Sequence, residues 1–409
     1  MALVQTSSQR HPAHRPASPS PLGIALVTET YPPEVNGVAM TIGRMAQGLR
    51  ERGHRLQVVR PRQHDAERPR SEPGYCEVLV RGVPIPRYGL LKLGLASSAA
   101  LRDHWTKRRP DIVHIVTEGP LGWAALRAAR ALDIAVSADF HTNFHSYSAH
   151  YGIGCLSRPI RAYLRHFHNR VRCTMVPTAG LRDELGAQGF RNLEIVARGV
   201  DTRLFDPARR SAGLRLSWSA AADDPVALYV GRLAPEKNLR LLLEAFEAMR
   251  QHVPRARLVI VGDGPERTAL QRAATPAHFA GTRTGADLAA HYASADVFLF
   301  PSLTETYGNV TVEAMASGLA VVAYDYAAAA QHIRHERNGI AVPFGDPAAF
   351  VQLAAGLAGD TARTIRLRTA ARATAERLDW SAIVGDFERA LIHVVHTDRD
   401  RELQACLSA

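Results

Sequence analysis

The sequence predicts an α/β protein built from two doubly wound, Rossmann-like domains that face each other across a cleft. The chain of 409 residues is too long for one ordinary core, so two domains of roughly 200 residues are expected. Short apolar runs alternate with helical patterns along most of the chain, which is typical of parallel sheets. Polar and glycine-containing loops follow several of these runs, at the strand ends where such sheets bind ligands.

The first 21 residues are predicted to be a disordered tail. They contain no continuous apolar stretch, so they lack the pattern of a secretory signal. No apolar run in the chain approaches the roughly 18 to 20 residues of a membrane-spanning helix. The four cysteines form no C-x-x-C pair, which argues against a disulfide framework or a structural zinc site. We expect a cytoplasmic protein, either free or peripheral on the inner face of the membrane.

The net charge of +11 is concentrated in the N-terminal half. Residues 1–200 hold 27 Lys and Arg against 15 Asp and Glu, whereas residues 201–409 hold 23 against 24. A basic half favours an anionic partner, such as a membrane surface, a phosphorylated acceptor or a nucleic acid. The alternative is a surface whose charge only keeps the protein soluble.

The first domain, residues 22–205, is predicted to begin with a strand, helix, strand unit. The first strand is Leu22 to Thr28, and the second is Leu56 to Val59. Apolar residues spaced by four, three and four define the helix between them: Val38, Ile42, Met45 and Leu49. The loop before this helix contains Asn36 and Gly37 and lies at the ligand-binding edge of the sheet. A plain turn is the alternative for this Asn-Gly pair.

A segment rich in His and aromatic residues follows a predicted strand at 134–138. An imidazole just past a strand end, such as that of His141, can hydrogen-bond a ligand or stabilise developing charge. Asn143, His145 and Tyr147 are weaker candidates, for contacts to an acceptor. A structural role is the alternative for each, and no ligand spacing here predicts a metal site.

Residues 156–172 are predicted to form a basic amphipathic helix. Basic side chains recur every three or four residues in one ridge: Arg158, Arg161, Arg165, His168 and Arg172. An apolar stripe lies beside it: Ile160, Leu164, Phe167 and Val171. Such a helix can bind anionic lipid, each Lys or Arg adding about 1 kcal/mol. The alternative is a surface helix that packs its stripe against its own sheet.

Residues 206–225 have little apolar pattern and are predicted to be a linker to the second domain, residues 226–380. That domain opens with a strand at 226–230, which Arg232 and Lys237 follow. A later strand at 257–261 runs into Gly262-Asp263-Gly264, a turn that lacks the third glycine of a dinucleotide fingerprint. The second domain therefore also presents glycines and cations at strand ends.

Residues 296–325 place two glutamates in a strand, loop, helix, strand pattern. Glu305 lies on the loop and Glu313 in the helix. The backbone N–H groups of Gly308, Asn309 and Val310 start this helix, and such groups attract an anion such as a phosphate. An anion site flanked by two carboxylates suits a sugar nucleotide. The alternative is a solvated loop glutamate and a helix glutamate that only complements the dipole.

These segments resemble the retaining glycosyltransferases of family 4, which have the GT-B fold. The resemblance is carried by Glu305, seven residues, Glu313, by Gly231-Arg232-Leu233 with Glu236-Lys237-Asn238, and by the loops around Gly37 and His141. It covers about residues 22–395. The sequence departs from the family after Asp325, where the common Gly-Gly-x-x-Glu is replaced by residues 327–331, AAAAQ.

The resemblance implies a role for each matching residue. His141 faces the donor sugar, Arg232 and Lys237 reach the donor diphosphate, Glu305 holds the hexose and Glu313 holds the ribose hydroxyls. It implies these donor-binding residues: Asn36, Gly37, Gly262, Gly264, Gly308, Asn309, Val310 and Glu313. It also implies that a C-terminal helix, residues 381–409, crosses back onto the first domain.

The implied reaction is hexosyl transfer with retention, from GDP-mannose or UDP-glucose to a glycolipid or glycan acceptor. No metal ion and no cofactor beyond the nucleotide sugar substrate are expected. An anionic membrane surface is a candidate partner and nucleic acid is not. Two alternatives from other classes remain: a nucleotide-sugar epimerase of the same fold, and a non-catalytic anion- or lipid-binding protein.

Overall fold

The computed structural model describes residues 20–34, 36–85, 88–141, 157–273 and 275–407, and within them the chain forms two sheets. Residues 23–195 build the first sheet and residues 226–342 the second. Strands and helices alternate along both segments, as a doubly wound fold requires. The predicted α/β class with two Rossmann-like sheets is confirmed.

The strands are numbered along the chain. The first sheet contains β1 Gly23–Val27, β2 Arg55–Pro61, β3 Ser71–Glu72, β4 Tyr75–Ile85, β5 Tyr88–Leu95, β6 Ile112–Ile115, β7 Ala135–Asp139, β8 Cys173–Val176 and β9 Leu193–Ile195. The second contains β10 Val226–Val230, β11 Arg257–Val261, β12 His278–Gly281, β13 Val297–Phe300, β14 Ala320–Tyr324 and β15 Ile340–Val342.

The α-helices are numbered in the same way. Those before the second sheet are α1 Gly37–Glu51, α2 Ser98–Lys107, α3 Pro120–Ala131, α4 Ser157–His168, α5 Ala179–Ala187 and α6 Ala212–Ser217. The remainder are α7 Leu239–His252, α8 Arg267–Gln271, α9 Gly285–Ser294, α10 Asn309–Ala316, α11 Ala327–His332, α12 Pro347–Ala358, α13 Thr361–Ala375 and α14 Trp380–Leu407.

Strand β1 lies inside the first sheet and is covered on both faces. The strand order is β3-β4-β2-β1-β6-β7-β8-β9, and β5 pairs with β4 as an antiparallel hairpin. Ile24 and Leu26 of β1 pack in a core cluster with α1 and α14, whereas Ala25 and Val27 pack with α2 and α3. Burial on both faces is the reason that this strand is apolar throughout.

The second sheet brings three functional loops to one edge. Its strands are all parallel, in the order β12-β11-β10-β13-β14-β15. Because β11, β10 and β13 are neighbours, the loops that follow them lie side by side. These loops carry Gly262 and Gly264, Arg232 and Lys237, and Glu305, respectively.

The last helix, α14, leaves the second sheet and packs on the first. Its buried residues that share a core cluster with β1 and α1 include Ile383, Phe387, Leu391 and Val395. The Phe387 ring meets the His114 ring of β6 edge to face, with centroids 4.9 Å apart. Just before α14, the carbonyl of Leu378 accepts the N–H of Val200 at 2.9 Å. The chain therefore crosses between the two sheets twice, along neighbouring paths.

One segment differs from the sequence-based expectations. The segment expected to be a patternless linker contains α6, whose Arg215 is buried. The Arg215 guanidinium donates to the carbonyls of Asp224 and Ser294, at 2.6 and 2.9 Å. A buried arginine that satisfies backbone carbonyls leaves no apolar pattern in the sequence.

The basic helix is shorter than predicted, and two members of its ridge are misplaced. Helix α4 ends at His168, which is fully buried and bonded through Nδ1 to Thr174 Oγ1 at 3.2 Å. Burial lowers the pKa of His168 to about 3, so it is neutral at pH 7. Arg172 lies beyond the helix, with its Nε 2.7 Å from Asp398 of α14. The prediction that both belong to one basic ridge is wrong, because the His168 side chain is buried and the helix ends before Arg172.

The apolar side of α4 packs against its own sheet. Leu164 and Phe167 are buried in core clusters of the first sheet, and so is Val171, just beyond the end of the helix. Arg158 and Arg165 remain exposed. Thus the stripe is structural, and only the exposed basic side chains remain for a partner.

The described residues supply two further facts about the chain. No helix among them combines the length and apolar composition that a bilayer crossing requires. Cys76 and Cys173 are free thiols, and burial raises the pKa of the Cys173 thiol above its usual value.

Candidate active site

A cleft lies between the carboxyl-end loops of the two sheets, with a cavity of about 520 Å³. On the side of the first sheet, the lining residues are Glu29, Thr30, Asn36, Gly37, Val38, Lys92, Thr117, His141 and Arg198. On the side of the second sheet, they are Glu305, Thr306, Tyr307, Gly308 and Asn309. The cleft therefore brings together predicted site residues from distant parts of the sequence.

Lys237 and Glu305 form an ion pair at this cleft. Lys237 Nζ lies 2.5 Å from Glu305 Oε1, and the side chains are only 16% and 17% exposed. Ser302 Oγ donates to the same carboxylate oxygen at 2.8 Å. Partial burial strengthens this pair relative to one in open solvent. An ammonium has three donors, so Lys237 can hold an anion and Glu305 at the same time.

Arg232 occupies a more exposed position than Lys237. Its side chain is 41% exposed and forms an ion pair with Glu236, four residues later. Glu236 is buried, and its Oε2 has no hydrogen-bond partner among the described residues. The short 3₁₀ turn Pro235–Lys237 separates the two cations and directs Lys237 to Glu305. Both predicted cations are thus present, each already paired with a carboxylate.

Helix α10 begins beside the cleft without a side-chain cap. Its N-cap residue, Gly308, has φ +89°, a left-handed conformation that favours glycine. No acidic residue lies in the first turn. The first amides of a helix have no helical partner and carry partial positive charge. In addition, Asn309 Oδ1 is buried without a hydrogen-bond partner among the described residues. This helix start can therefore bind an anion and accept a ligand donor.

Glu313 lies one turn into α10, in surroundings different from those of Glu305. The Tyr292 hydroxyl donates to Glu313 Oε2 at 3.0 Å. Burial raises the pKa of the Glu313 carboxyl to about 7, although the Tyr292 hydrogen bond acts in the opposite direction. Glu313 is not among the residues that line the 520 Å³ cavity. The two glutamates therefore lie in different surroundings, and only Glu305 lines the cavity.

The His141 imidazole is held by two protein partners. Arg198 Nη2 lies 2.7 Å from Nδ1, and Asp139 Oδ2 lies 3.0 Å from Nε2. A guanidinium can only donate, so Nδ1 accepts and Nε2 carries the proton. Burial lowers the pKa of His141 despite the opposing charge of Asp139, so the ring is neutral at pH 7. A direct hydrogen bond from this ring to a sugar requires the exchange of one partner.

The backbone of this region joins the two sides of the cleft. Thr306 Oγ1 donates to the His141 carbonyl at 3.1 Å. The Tyr307 hydroxyl donates to the Arg198 carbonyl at 2.9 Å. The loop after β13 is therefore fastened to the first sheet next to the imidazole.

Sequence reasoning did not single out Arg198 or Glu29 as a residue of the cleft, although Glu29 begins the loop that was predicted to lie at the ligand-binding edge. Arg198 is only 7% exposed, and its guanidinium carbon lies 5.8 Å from the centroid of the Tyr307 ring. A single arginine in a loop has no pattern that separates it from surface charge. Glu29 follows β1 directly, and this strand-end position is a signal that could have identified it.

The remaining predicted residues divide into three groups. Asn36 and Gly37 line the cleft, but the Asn36 side chain caps α1 by accepting from Val38 and Ala39 N–H at 3.1 and 2.9 Å. A Cβ on Gly262 or Gly264 would lie 1.9 or 2.4 Å from carbonyls of the loop after β10, so close packing of two loops explains both glycines. Asn143, His145 and Tyr147 lie outside the described residues.

The cleft can bind a ligand that has a diphosphate and several hydroxyls. Lys237 and the α10 amides supply positive charge, while Glu305 and the Asn309 carbonyl oxygen can accept from hydroxyls. Among the described residues, no three His, Cys, Asp or Glu side chains are grouped to hold a metal ion.

Two family models match the chain. The model described as Glycosyltransferase Family 4 matches residues 35–204, and the model described as Glycosyl transferases group 1 matches residues 224–360. The first match covers the first sheet except β1, and the second match covers the whole second sheet.

Similar proteins include enzymes that transfer mannose. The chain is 37% identical to a GDP-mannose-dependent alpha-mannosyltransferase of Mycobacterium tuberculosis, over 79% of this chain and 84% of the relative. It is 30% identical to a phosphatidyl-myo-inositol mannosyltransferase of the same species, over 86% and 92%. A sucrose-phosphate synthase from Thermosynechococcus elongatus has a similar structure, with a TM-score of 0.73, 19% identity, and coverage of 91% of this chain and 99% of that chain.

Proposed function

The chain belongs to glycosyltransferase family 4, has the GT-B fold and transfers a hexosyl group, and from this premise we propose that it moves mannose from GDP-mannose to a lipid hydroxyl. The donor is supported by the relative that is 37% identical over most of both chains. The lipid acceptor is supported by the phosphatidyl-myo-inositol mannosyltransferase.

The α10 start next to the Lys237–Glu305 pair is the observation that carries this proposal. In the proposed complex, the diphosphate binds to the amides at Gly308 to Val310, with Lys237 beside it. Arg232 approaches from the more exposed side. Negative charge grows on the diphosphate as its bond to the sugar breaks, so these groups stabilise the transition state more than the bound donor.

The two glutamates have separate roles in this proposal. Glu305, held by Lys237 and Ser302, accepts hydrogen bonds from hydroxyls of the mannose. Glu313, farther along α10, binds the ribose hydroxyls. Mannose is α-linked in GDP-mannose, and transfer to an α-linked product retains that configuration. Glu305 is neutralised by an ammonium, which argues against its use as a covalent nucleophile.

We also propose that the reaction needs no metal ion. Lys237, Arg232 and the helix amides supply the positive charge that a divalent cation provides in other phosphate sites. Transfer activity should therefore be unchanged in excess EDTA. Loss of activity that Mg²⁺ or Mn²⁺ restores would contradict this part of the proposal.

The N-terminal domain, which contains the first sheet, is proposed to hold the acceptor. Its exposed basic side chains are proposed to bind an anionic membrane surface peripherally. The basic excess of the chain lies in residues 1–200, and Arg158 and Arg165 of α4 are exposed. Basic side chains near anionic lipid attract a protein peripherally, without a membrane-spanning segment. Sedimentation with phosphatidylglycerol vesicles, but not with phosphatidylcholine vesicles, is the expected result at low salt.

The proposal is tested first with nucleotides alone. A ligand that binds only the folded state raises the melting temperature. GDP should raise it more than UDP or ADP at the same concentration. A clear preference for UDP would replace GDP-mannose by UDP-glucose as the donor.

Transfer is then measured with radiolabelled GDP-mannose and vesicles that contain phosphatidylinositol or diacylglycerol. Label in the lipid phase supports the transferase proposal. An epimerase would instead change the nucleotide sugar without any acceptor, and a binding protein would leave the donor intact. If the protein binds GDP in the melting assay and either of these outcomes is found in the transfer assay, the proposed reaction is overturned.

A further inference from the structure

The Glu29 carboxyl is fixed at the cleft by the fold of the first sheet. Its backbone N–H donates to Thr117 Oγ1 at 2.9 Å, which fastens the end of β1 to the loop after β6. Its Oε1 accepts the Leu121 N–H of α3 at 3.3 Å. A Cβ on Gly119 would lie 2.1 Å from Glu29 Oε2, so the carboxyl fills space that only a glycine leaves open. The position of this carboxyl is therefore well defined.

This carboxyl is partly exposed and lines the cleft from the side of the first sheet. The groups proposed to hold the donor, Lys237, Glu313 and the α10 start, all come from the second sheet. Glu29 comes from the first sheet and bonds to Thr117, which lines the same cavity. A group on this wall can contact an acceptor that enters the cleft beside the donor.

Glu29 has capacity for another hydrogen bond. A carboxylate has about four acceptor positions, and the backbone N–H groups of Leu121 and Gly94 use two of them. Burial raises the pKa of Glu29 to about 7, and nearby Glu118 adds to this effect. Lys92, a basic residue that lines the same cavity, donates to the carbonyls of Arg62 and Gln63. A partly buried carboxyl whose desolvation is offset by so few hydrogen bonds is stabilised by a neutral donor such as a hydroxyl.

We propose that Glu29 accepts a hydrogen bond from a hydroxyl of the acceptor and thereby orients the acceptor for attack. The inference rests on the proposed function and identifies a specificity residue for it. Because a carboxylate repels an adjacent phosphate, the part of the acceptor that Glu29 contacts carries hydroxyls and no negative charge. Acceptors with a hydroxyl-rich, uncharged terminal group are therefore preferred.

The test compares Glu29→Gln with Glu118→Gln. Glutamine has nearly the shape of glutamate and can still accept the Leu121 N–H, but it lacks the charge. Glu118 lies in the same loop as Thr117 and is absent from the cavity wall, so its variant controls for loss of a carboxylate nearby. The acceptor is supplied in vesicles that contain either phosphatidylinositol or diacylglycerol. The lipid that the unsubstituted enzyme labels more actively is used for both variants.

Glu29→Gln should raise the acceptor KM by about ten- to a hundredfold, the range expected for a hydrogen bond to a charged group. The Kd for GDP should stay the same, and Glu118→Gln should change neither constant. An unchanged acceptor KM would overturn the inference. The inference would also be overturned if the higher acceptor KM came with weaker GDP binding and a lower melting temperature. That combination would show that Glu29 only caps α3.

A second variant keeps the carboxyl group but moves it away from the cleft. Glu29→Asp shortens the side chain by one methylene, so it should also raise the acceptor KM with GDP affinity unchanged. If the unsubstituted enzyme transfers mannose and both variants keep its acceptor KM, this inference fails alone. If the unsubstituted enzyme labels neither lipid, the proposed function fails and this inference fails with it.

Discussion

Lys237 and Arg232 are each paired with a carboxylate, and this pairing affects how they can act. Lys237 contacts Glu305 and Arg232 contacts Glu236, so each cation already has a carboxylate partner before a phosphate binds. The pairs position the side chains in advance and reduce the ordering cost of binding. In the proposed complex the diphosphate shares Lys237 with Glu305, which couples donor binding to the placement of the glutamate proposed to bind the sugar.

Replacement of Lys237 by alanine should impair both donor binding and turnover. The change removes a charge beside the growing diphosphate charge and leaves Glu305 without its partner. We expect kcat/KM for GDP-mannose to fall by about 100- to 1000-fold, together with weaker GDP binding. Arg240→Ala is the control, since Arg240 is 93% exposed on α7. Unchanged turnover of the Lys237 variant would remove this residue from the site.

Glu313→Gln should change how stability depends on pH. The folded-state pKa of Glu313, about 7, is raised above the usual 4.5, so between these values the folded protein holds a proton that the unfolded chain has lost. Stability of the unsubstituted protein therefore falls as pH rises through this window. Glutamine does not titrate and removes this contribution. The melting temperature of the variant minus that of the unsubstituted protein should rise from pH 5 to pH 8; a constant difference would contradict the raised pKa.

The start of α10 depends on one left-handed residue. Gly308 turns the chain so that the helix begins at the cleft, directly after the loop that carries Glu305. An L-residue in this conformation costs roughly 1 kcal/mol relative to glycine. The same element is therefore both a structural turn and the proposed diphosphate site.

Gly308→Ala tests these two roles against each other. Gly345 is the matched control, because it also has positive φ, +80°, and a Cβ there would meet no atom within 4 Å. Both alanine variants should lose about 1 kcal/mol of stability. Only Gly308→Ala should weaken GDP binding, as measured by calorimetry. Equal GDP affinity in both variants would show that the α10 amides do not contact the diphosphate.

Across the whole molecule, the two sheets share more than a cleft. Helix α14 completes the core of the first sheet although it follows the second sheet in the chain. The loop after β13 is also bonded to the first sheet through Thr306 and Tyr307. Folding of the first sheet therefore requires the C-terminal end of the chain.

Phe387→Ala should destabilise the first sheet in particular. Phe387 is 1% exposed and packs against the His114 ring, so its truncation leaves a cavity that costs about 3 to 5 kcal/mol. Urea unfolding of this variant should begin at lower concentration, while GDP should still protect the second sheet. Leu216→Ala, at a side chain 73% exposed, is the control and should have little effect. A loss of similar size at both positions would contradict the role assigned to α14.

Local patterns were sufficient to predict the fold class and most residues proposed for the donor site. Apolar runs that alternate with helical spacing record burial on both faces of a parallel sheet, and β1, β10 and β13 were located in this way. Lys237, Glu305 and the α10 start follow two of these strands directly. Their placement near a ligand follows from the rule that such sheets bind at the carboxyl ends of their strands.

Contacts between residues far apart in the chain could not be predicted from any local pattern. Three examples depend on which strands are neighbours. Arg198 bonds to His141 and fixes its tautomer, the Glu29 carboxyl packs against Gly119, and His168 is buried beside Thr174. A single polar residue has the same local sequence signal whether it is exposed or buried with a partner. Strand order, the burial of single polar residues and the pairing of charges therefore emerged only from the folded chain, because each is a property of distant residues brought together.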